Sequence, residues 1–208
     1  MTLLREIRVA ATDSEVKLPD LLRKCKVLAA RLRHQEFAEW VGRELNGYPD
    51  AAGLPEYRRV HVESLGKFVG PLNSGIDNAR IPTSALPENL KHHANEARFF
   101  DSVSSLGCLA DDEGTTTLCA KWSADVVAYV AKKHPMYRDM VLIDAWQVIS
   151  SATVAGILDT VRTRILDFVL ALEAEDPAAG DSVAHVRGLA QPVPHTIRKV
   201  TGRGGSHC

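Results

Sequence analysis

The stretch "ELNGYPDAAGLPEYR", Glu44 to Arg58, marks where one kind of structure ends and another begins. Upstream of it apolar residues recur every three or four positions; downstream they alternate, or form short runs broken by glycine. Asn46-Gly47 can take the left-handed backbone that closes a helix, which is a complete structural reason for the pair. Tyr48 is then placed to fold back on the helix's apolar end, while Pro49 and Pro55 stiffen the exit. The same loop gathers aromatic side chains. Trp40 stands just before it and Tyr48 and Tyr57 within it, so a binding surface built on these three is the functional alternative to a plain chain reversal.

Working back from Glu44, Phe37, Trp40, Val41 and Leu45 form an apolar stripe at helical spacing. Before a break near His34, "KLPDLLRKCKVLAARL" repeats Leu21, Cys25, Leu28 and Leu32 at intervals of three and four. Pro19 sits in the first turn of that segment, where its missing amide costs no helical bond. Two amphipathic helices so close together predict a helical hairpin. A shorter helix precedes them, with Leu3, Leu4, Ile7 and Ala11 on one face and Asp13-Ser14 as its end.

Working forward, "YRRVHVESLGKFVGPL" has an alternating core at Val60-His61-Val62 and punctuating glycines, which predicts strands and turns. Ile81-Pro82 disfavours helix at that point, and a helix is expected through "ENLKHHANEARFF". "DDEGTTT" reads as a polar turn. "LCAKWSADVVAYVAKKH" then reads as a helix ending before Pro135, with Trp122, Val126, Val127 and Val130 on its apolar side. Met140 to Ile143, followed by Trp146 and Val148, predicts a buried strand. From Ala152 a long helix carries Ile157, Val161, Ile165, Phe168 and Leu172 on a wide apolar stripe, and Asp176-Pro177 ends it. The expected fold is α+β and predominantly helical. In it the N-terminal hairpin and the long C-terminal helix pack together over a small sheet drawn from residues 57–83 and 139–149. Residues 1–176 form the expected domain. Residues 177–208, rich in Gly, Pro and small polar residues and basic toward their end, are expected to be a flexible tail.

Composition agrees with one substantial core. The chain has 208 residues, 45% apolar and 25% charged, with a formal net charge of -1. Such a length can bury most of its apolar surface without disulfides or a structural metal. The near-zero charge argues against a high-affinity, non-specific nucleic-acid binder. Cys25, Cys108, Cys119 and Cys208 make no CxxC pair, which is cytosolic usage. Early charges spoil any signal-peptide core, and no apolar run approaches a membrane span. A cytoplasmic protein without a membrane partner is expected.

The candidate chemistry is sparse. His92-His93 would diverge on a helix, no HExxH occurs, and Cys108 with Cys119 lacks a second ligand pair, so neither metal nor cofactor is expected. No serine sits in a GxSxG elbow, and the terminal "GRGGS" lacks the GK[ST] of a phosphate loop. Asp111, Asp112 and Glu113 in "DDEG" could hold a divalent cation of the kind nucleases use, although a solvated turn is the simpler reading. Arg23, Lys24, Arg31 and Arg33 could meet nucleic acid, although such residues more simply solvate a helix whose other face is buried.

Several blocks in order carry a resemblance: "LLREIRVAATDSEVKLPDLLRKCKVLAARL", "EFAEWVGRELNGYP", "LPEYR" and "AWQVISSATVAGILDTVRTRILDFVLALE". Together they resemble the AbiTii domain of bacterial abortive-infection proteins over roughly residues 2–176. The resemblance implies a part in phage defence and brings no catalytic residues with it. Similar proteins often continue into Asn/Gly-rich sequence, whereas this chain continues into the short basic "IRKVTGRGGSHC". The expected function is a non-enzymatic sensing or interaction module that contacts a protein partner or itself. The alternatives are a toxin-like metal-dependent nuclease on Asp111, Asp112 and Glu113, or a nucleic-acid-binding adaptor on the basic helix.

Overall fold

The computed structural model describes residues 2–111 and 116–176. Three helices come first: α1 (Leu3–Thr12), α2 (Leu18–Leu32) and α3 (Gln35–Asn46). Strands β1 (Arg59–His61), β2 (Glu63–Val69) and β3 (Gly75–Arg80) follow. Next are α4 (Glu88–Asn95), β4 (Glu96–Arg98), α5 (Val103–Ala110) and β5 (Thr117–Lys121). Last come α6 (Ala124–Lys133), β6 (Val141–Ser150) and α7 (Ser151–Glu175). The chain is α+β, as expected, and divides into two compact units. One holds residues 1–58, 100–110 and the chain from Val154; the other holds 59–99 and 111–153.

Among the described residues, the buried core of the first unit is drawn from helices. Leu4 and Ile7 of α1, Leu21, Cys25 and Leu28 of α2, and Phe37 and Val41 of α3 meet Val161, Ile165, Phe168 and Leu172 of α7. Each set repeats at three or four residues, so one face of each helix is fully withdrawn from water. Phe37 stacks on Phe168 with ring centroids 3.8 Å apart, and Trp40 stacks with Phe37 at 5.8 Å. Burial also pushes the Cys25 thiol up to about 12, so it behaves as a small apolar residue. The hairpin expected from the sequence is present. Arg33 adopts a left-handed φ of 51° and closes α2 through Ala29 and Ala30, and the His34 side chain then caps α3 by accepting the Phe37 N–H at 3.1 Å. The long helix is fastened to the first by polar contacts as well. Arg162 donates to the carbonyls of Ala10, Asp13 and Val16, and Arg8 pairs with Glu173 at 2.8 Å.

In the second unit, antiparallel strands run in the order β3-β2-β6-β5, and β1 pairs separately with β4. Phe68, Leu142 and Ala145 on one face of this sheet pack with Val127 and Val130 of α6. Gln147 donates from β6 to the carbonyls of His93 and Glu96, which ties α4 and β4 to the sheet. Lys67 faces Asp144 while Phe68 faces Leu142, so Ile143 is left over as a bulge. The strands expected within 57–83 and 139–149 are therefore found, but the apolar run that opens β6 is not buried as expected: Leu142 faces the core while Val141 and Ile143 are exposed.

Two local expectations are corrected. The helix expected from Leu118 onward is strand β5 up to Lys121, and α6 begins only after Ser123, whose hydroxyl accepts the Val126 N–H. Ladder bonds to β6, which places Cys119 opposite Val148, decide the strand and are invisible in a local window. The helix expected through "ENLKHHANEARFF" stops at Asn95, because Glu96–Arg98 pair with β1.

Candidate functional site

The site grows from α3 and the loop that follows it. On α3, Phe37, Trp40, Val41 and Glu44 share the inward side, so a carboxylate sits on an otherwise apolar stripe. Gly47 ends the helix with φ +91°, a value that favours glycine, and a Cβ there would lie 2.8 Å from the Phe100 carbonyl oxygen. The Tyr48 N–H donates to that same oxygen at 2.7 Å, which fixes the loop's departure. Asp50 accepts the Ala52 and Gly53 N–H groups at 2.9 and 3.1 Å and so shapes the turn. A single 3-10 turn, Glu56–Arg58, then delivers Tyr57 and Arg58.

Those two side chains return to Glu44. Arg58 donates to Glu44 Oε2 at 2.6 Å and to the Asp101 carbonyl at 2.7 Å, and both side chains of the ion pair are 0% exposed. The Tyr48 and Tyr57 hydroxyls each donate to Glu44 Oε1 at 2.5 Å. The Trp40 indole N–H donates to the Tyr57 oxygen at 3.0 Å. Guanidinium groups cover both phenol rings: Arg58 lies 4.9 Å from the Tyr48 centroid, and Arg164 of α7 lies 4.5 Å from that of Tyr57. A buried ion pair loses hydration that its own attraction does not fully return. Here two further donors, the Tyr48 and Tyr57 hydroxyls, help to hold the carboxylate's charge. Burial raises both tyrosine pKa values well above the phenol range, and the Glu44 charge and its hydrogen bonds raise them further. Both hydroxyls therefore stay protonated as donors and are unsuited to act as bases.

Above this network lies a cleft of about 350 Å³. Glu36, Glu39 and Arg43 line it from α3, Asp50 and residues 52–55 line it from the loop, and Trp40 and Tyr48 contribute to its floor. Each of the two aromatics is about nineteen-twentieths buried, at 4% and 5% exposure. They expose little to a ligand, and the polar rim carries most of the accessible surface.

The three aromatics singled out from sequence are thus brought together, through Glu44, whose role sequence reasoning missed along with that of Arg58. The signal was present: Glu44 occupies an inward position on a helical stripe, and only a cation arriving from elsewhere makes that tolerable. Tyr48 folds back on the helix as expected, but as a hydrogen-bond donor to Glu44.

The basic residues separate. Arg23, Arg31 and Arg33 line a shallow groove on the outer side of α2 together with Lys26, Val27 and Ala30. Lys24 points elsewhere and lies 3.7 Å from Glu6, and Arg23 pairs with Asp20. Asp111 lies exposed in a bend after α5, while Asp112 and Glu113 fall outside the described residues, as does the basic tail. Among the described residues, no three His, Cys, Asp or Glu side chains are grouped to hold a metal ion, and no helix is long and apolar enough to cross a membrane.

The sequence blocks pointed to the class of abortive-infection phage-defence proteins, and the family comparison supports that class. A model of the AbiTii family matches residues 2–185, and the chain belongs to that family. No curated protein and no solved structure gives a significant match.

Proposed function

We propose that the chain acts in phage defence as a non-enzymatic sensing or interaction module, and that the cleft between α3 and the 48–55 loop receives a protein partner. The observation that carries this reading is the support beneath the cleft. An ion pair excluded from solvent, two phenols and an indole hold its floor in one arrangement, at a desolvation cost that an apolar core would avoid. A floor held this way is preorganised, which lowers the ordering cost of binding. The rim supplies three carboxylates and one guanidinium, groups that select a partner by charge.

The test fills the cleft without touching the network. Ala52→Arg places a long side chain at the rim, on a residue that is exposed. Cells expressing this variant are expected to lose protection in a plating assay, with protein level and melting temperature unchanged. Full protection by a stably expressed Ala52→Arg chain would overturn the reading.

A further inference from the structure

The outer side of α2 and the cleft beside α3 have opposite character and occur on the same unit. On α2, Arg23, Lys26, Arg31 and Arg33 surround Val27, a residue 47% exposed; Arg23 is paired with Asp20, and the groove's own lining holds no acid. At the cleft, Glu36, Glu39 and Asp50 outnumber Arg43. Lys26, Glu36 and Glu39 take part in no ion pair among the described residues, so their charges are available to a partner. We infer that the partner of the cleft is a second copy of this chain, which presents the basic, Val27-centred side of α2 to the acidic rim. The inference rests on the cleft reading above and adds the identity of the occupant.

Two features favour this occupant over a nucleic acid. The groove's centre is apolar, with Val27 and Ala30 flanked by bases, and a phosphate backbone gains nothing from exposed methyl groups. A protein surface does, and charges around a small apolar centre are the usual arrangement of core and rim. The complementary acidic rim also needs no separate partner, since every copy carries both surfaces. The overall charge of -1 leaves little net repulsion between copies.

Sedimentation equilibrium of the full chain, up to about 100 µM and at about 50 mM and 500 mM salt, measures the contact directly. The wild-type chain is expected to self-associate, less tightly at high salt. Lys26→Glu and Glu39→Lys should each weaken association about tenfold or more, as reversal of a close interfacial charge does. The double variant Lys26→Glu/Glu39→Lys, or an equimolar mixture of the two single variants, should recover it, because both restore opposite charges across the contact. A wild-type chain that stays monomeric, or a double variant no tighter than the singles, overturns the inference. So does a Lys26→Glu chain that loses binding to a duplex oligonucleotide while its self-association is unchanged. Plating assays separate the two levels of the argument. If Glu39→Lys loses protection while the wild type is monomeric, the cleft stands and its occupant is another protein. If both single variants protect fully although their association is weakened, the cleft reading falls.

Discussion

Replacing Glu44 by Gln isolates the ion pair at the centre of the first unit. The substitution keeps one oxygen as an acceptor for Tyr48 and Tyr57 and turns the other into an NH2 that faces the Arg58 guanidinium. Both side chains are fully buried, so the guanidinium keeps the Asp101 carbonyl but meets a donor where the carboxylate stood. Removing one partner of a buried pair costs about 3–5 kcal/mol. A chain of this length loses about 2–4 °C of melting temperature per kcal/mol, so a drop of roughly 6–20 °C is expected. Thermal unfolding followed by tryptophan fluorescence measures it, because Trp40 sits in the network. Adding Arg58→Met to Glu44→Gln removes the stranded charge, so the double variant should be more stable than the two single effects sum to, by about 1.5 kcal/mol or more. A loss below about 1 kcal/mol for Glu44→Gln, the level typical of an exposed pair, would refute the argument that this pair organises the unit.

Other substitutions and conditions read different parts of the fold. Gly47→Ala forces a Cβ to within 2.8 Å of the Phe100 oxygen at a positive φ, and should cost about 1–3 kcal/mol in chemical denaturation. Arg162→Ala removes one bond to the end of α1 and two to the α1–α2 connection, and a loss of about 2 kcal/mol with faster amide exchange around Asp13 to Val16 is expected. The pKa values of Tyr48 and Tyr57 are raised in the folded chain, so the stability they contribute is complete below the phenol pKa of about 10 and declines above it as the unfolded chain loses protons first. The slope from the pair is about 2.7 kcal/mol per pH unit, and it should flatten in the Tyr48→Phe/Tyr57→Phe variant. Changing Asp111, Asp112 and Glu113 together to Ala should leave phage protection intact, and loss of protection at unchanged protein level would favour a metal-dependent activity.

Much of the helical half was legible in the sequence, because an amphipathic helix declares itself within a dozen residues. Leu21, Cys25 and Leu28, or Ile157, Val161 and Ile165, need no knowledge of what they touch. The sheet was half legible. Strands β2 and β6 carry alternation or apolar runs of their own, whereas β4 and β5 exist because a distant strand offers ladder partners. The candidate site shows the same division. Its aromatic members stood out by residue type, but its charged centre did not, since a buried Glu44 makes sense only beside Arg58, fourteen residues on in sequence. Charge pairing also explains why the basic side of α2 was drawn imperfectly. Lys24 belongs with Glu6, and Lys26, one turn away from Arg23, takes its place.

The stacking of Phe37 on Phe168 has a consequence for synthesis. The two rings belong to one core, yet the ribosome makes the second 131 residues after the first (168 − 37). At bacterial elongation rates that gap is on the order of ten seconds, during which the newly made hairpin has lost no time in forming but has nothing to close over it. The second unit is encoded almost wholly within the interval, so it can complete itself while the first still waits for its last helix. A nascent chain halted before Phe168 would therefore expose Leu21, Leu28 and Phe37 to chaperones, and release of that exposure should track the emergence of α7 from the exit tunnel.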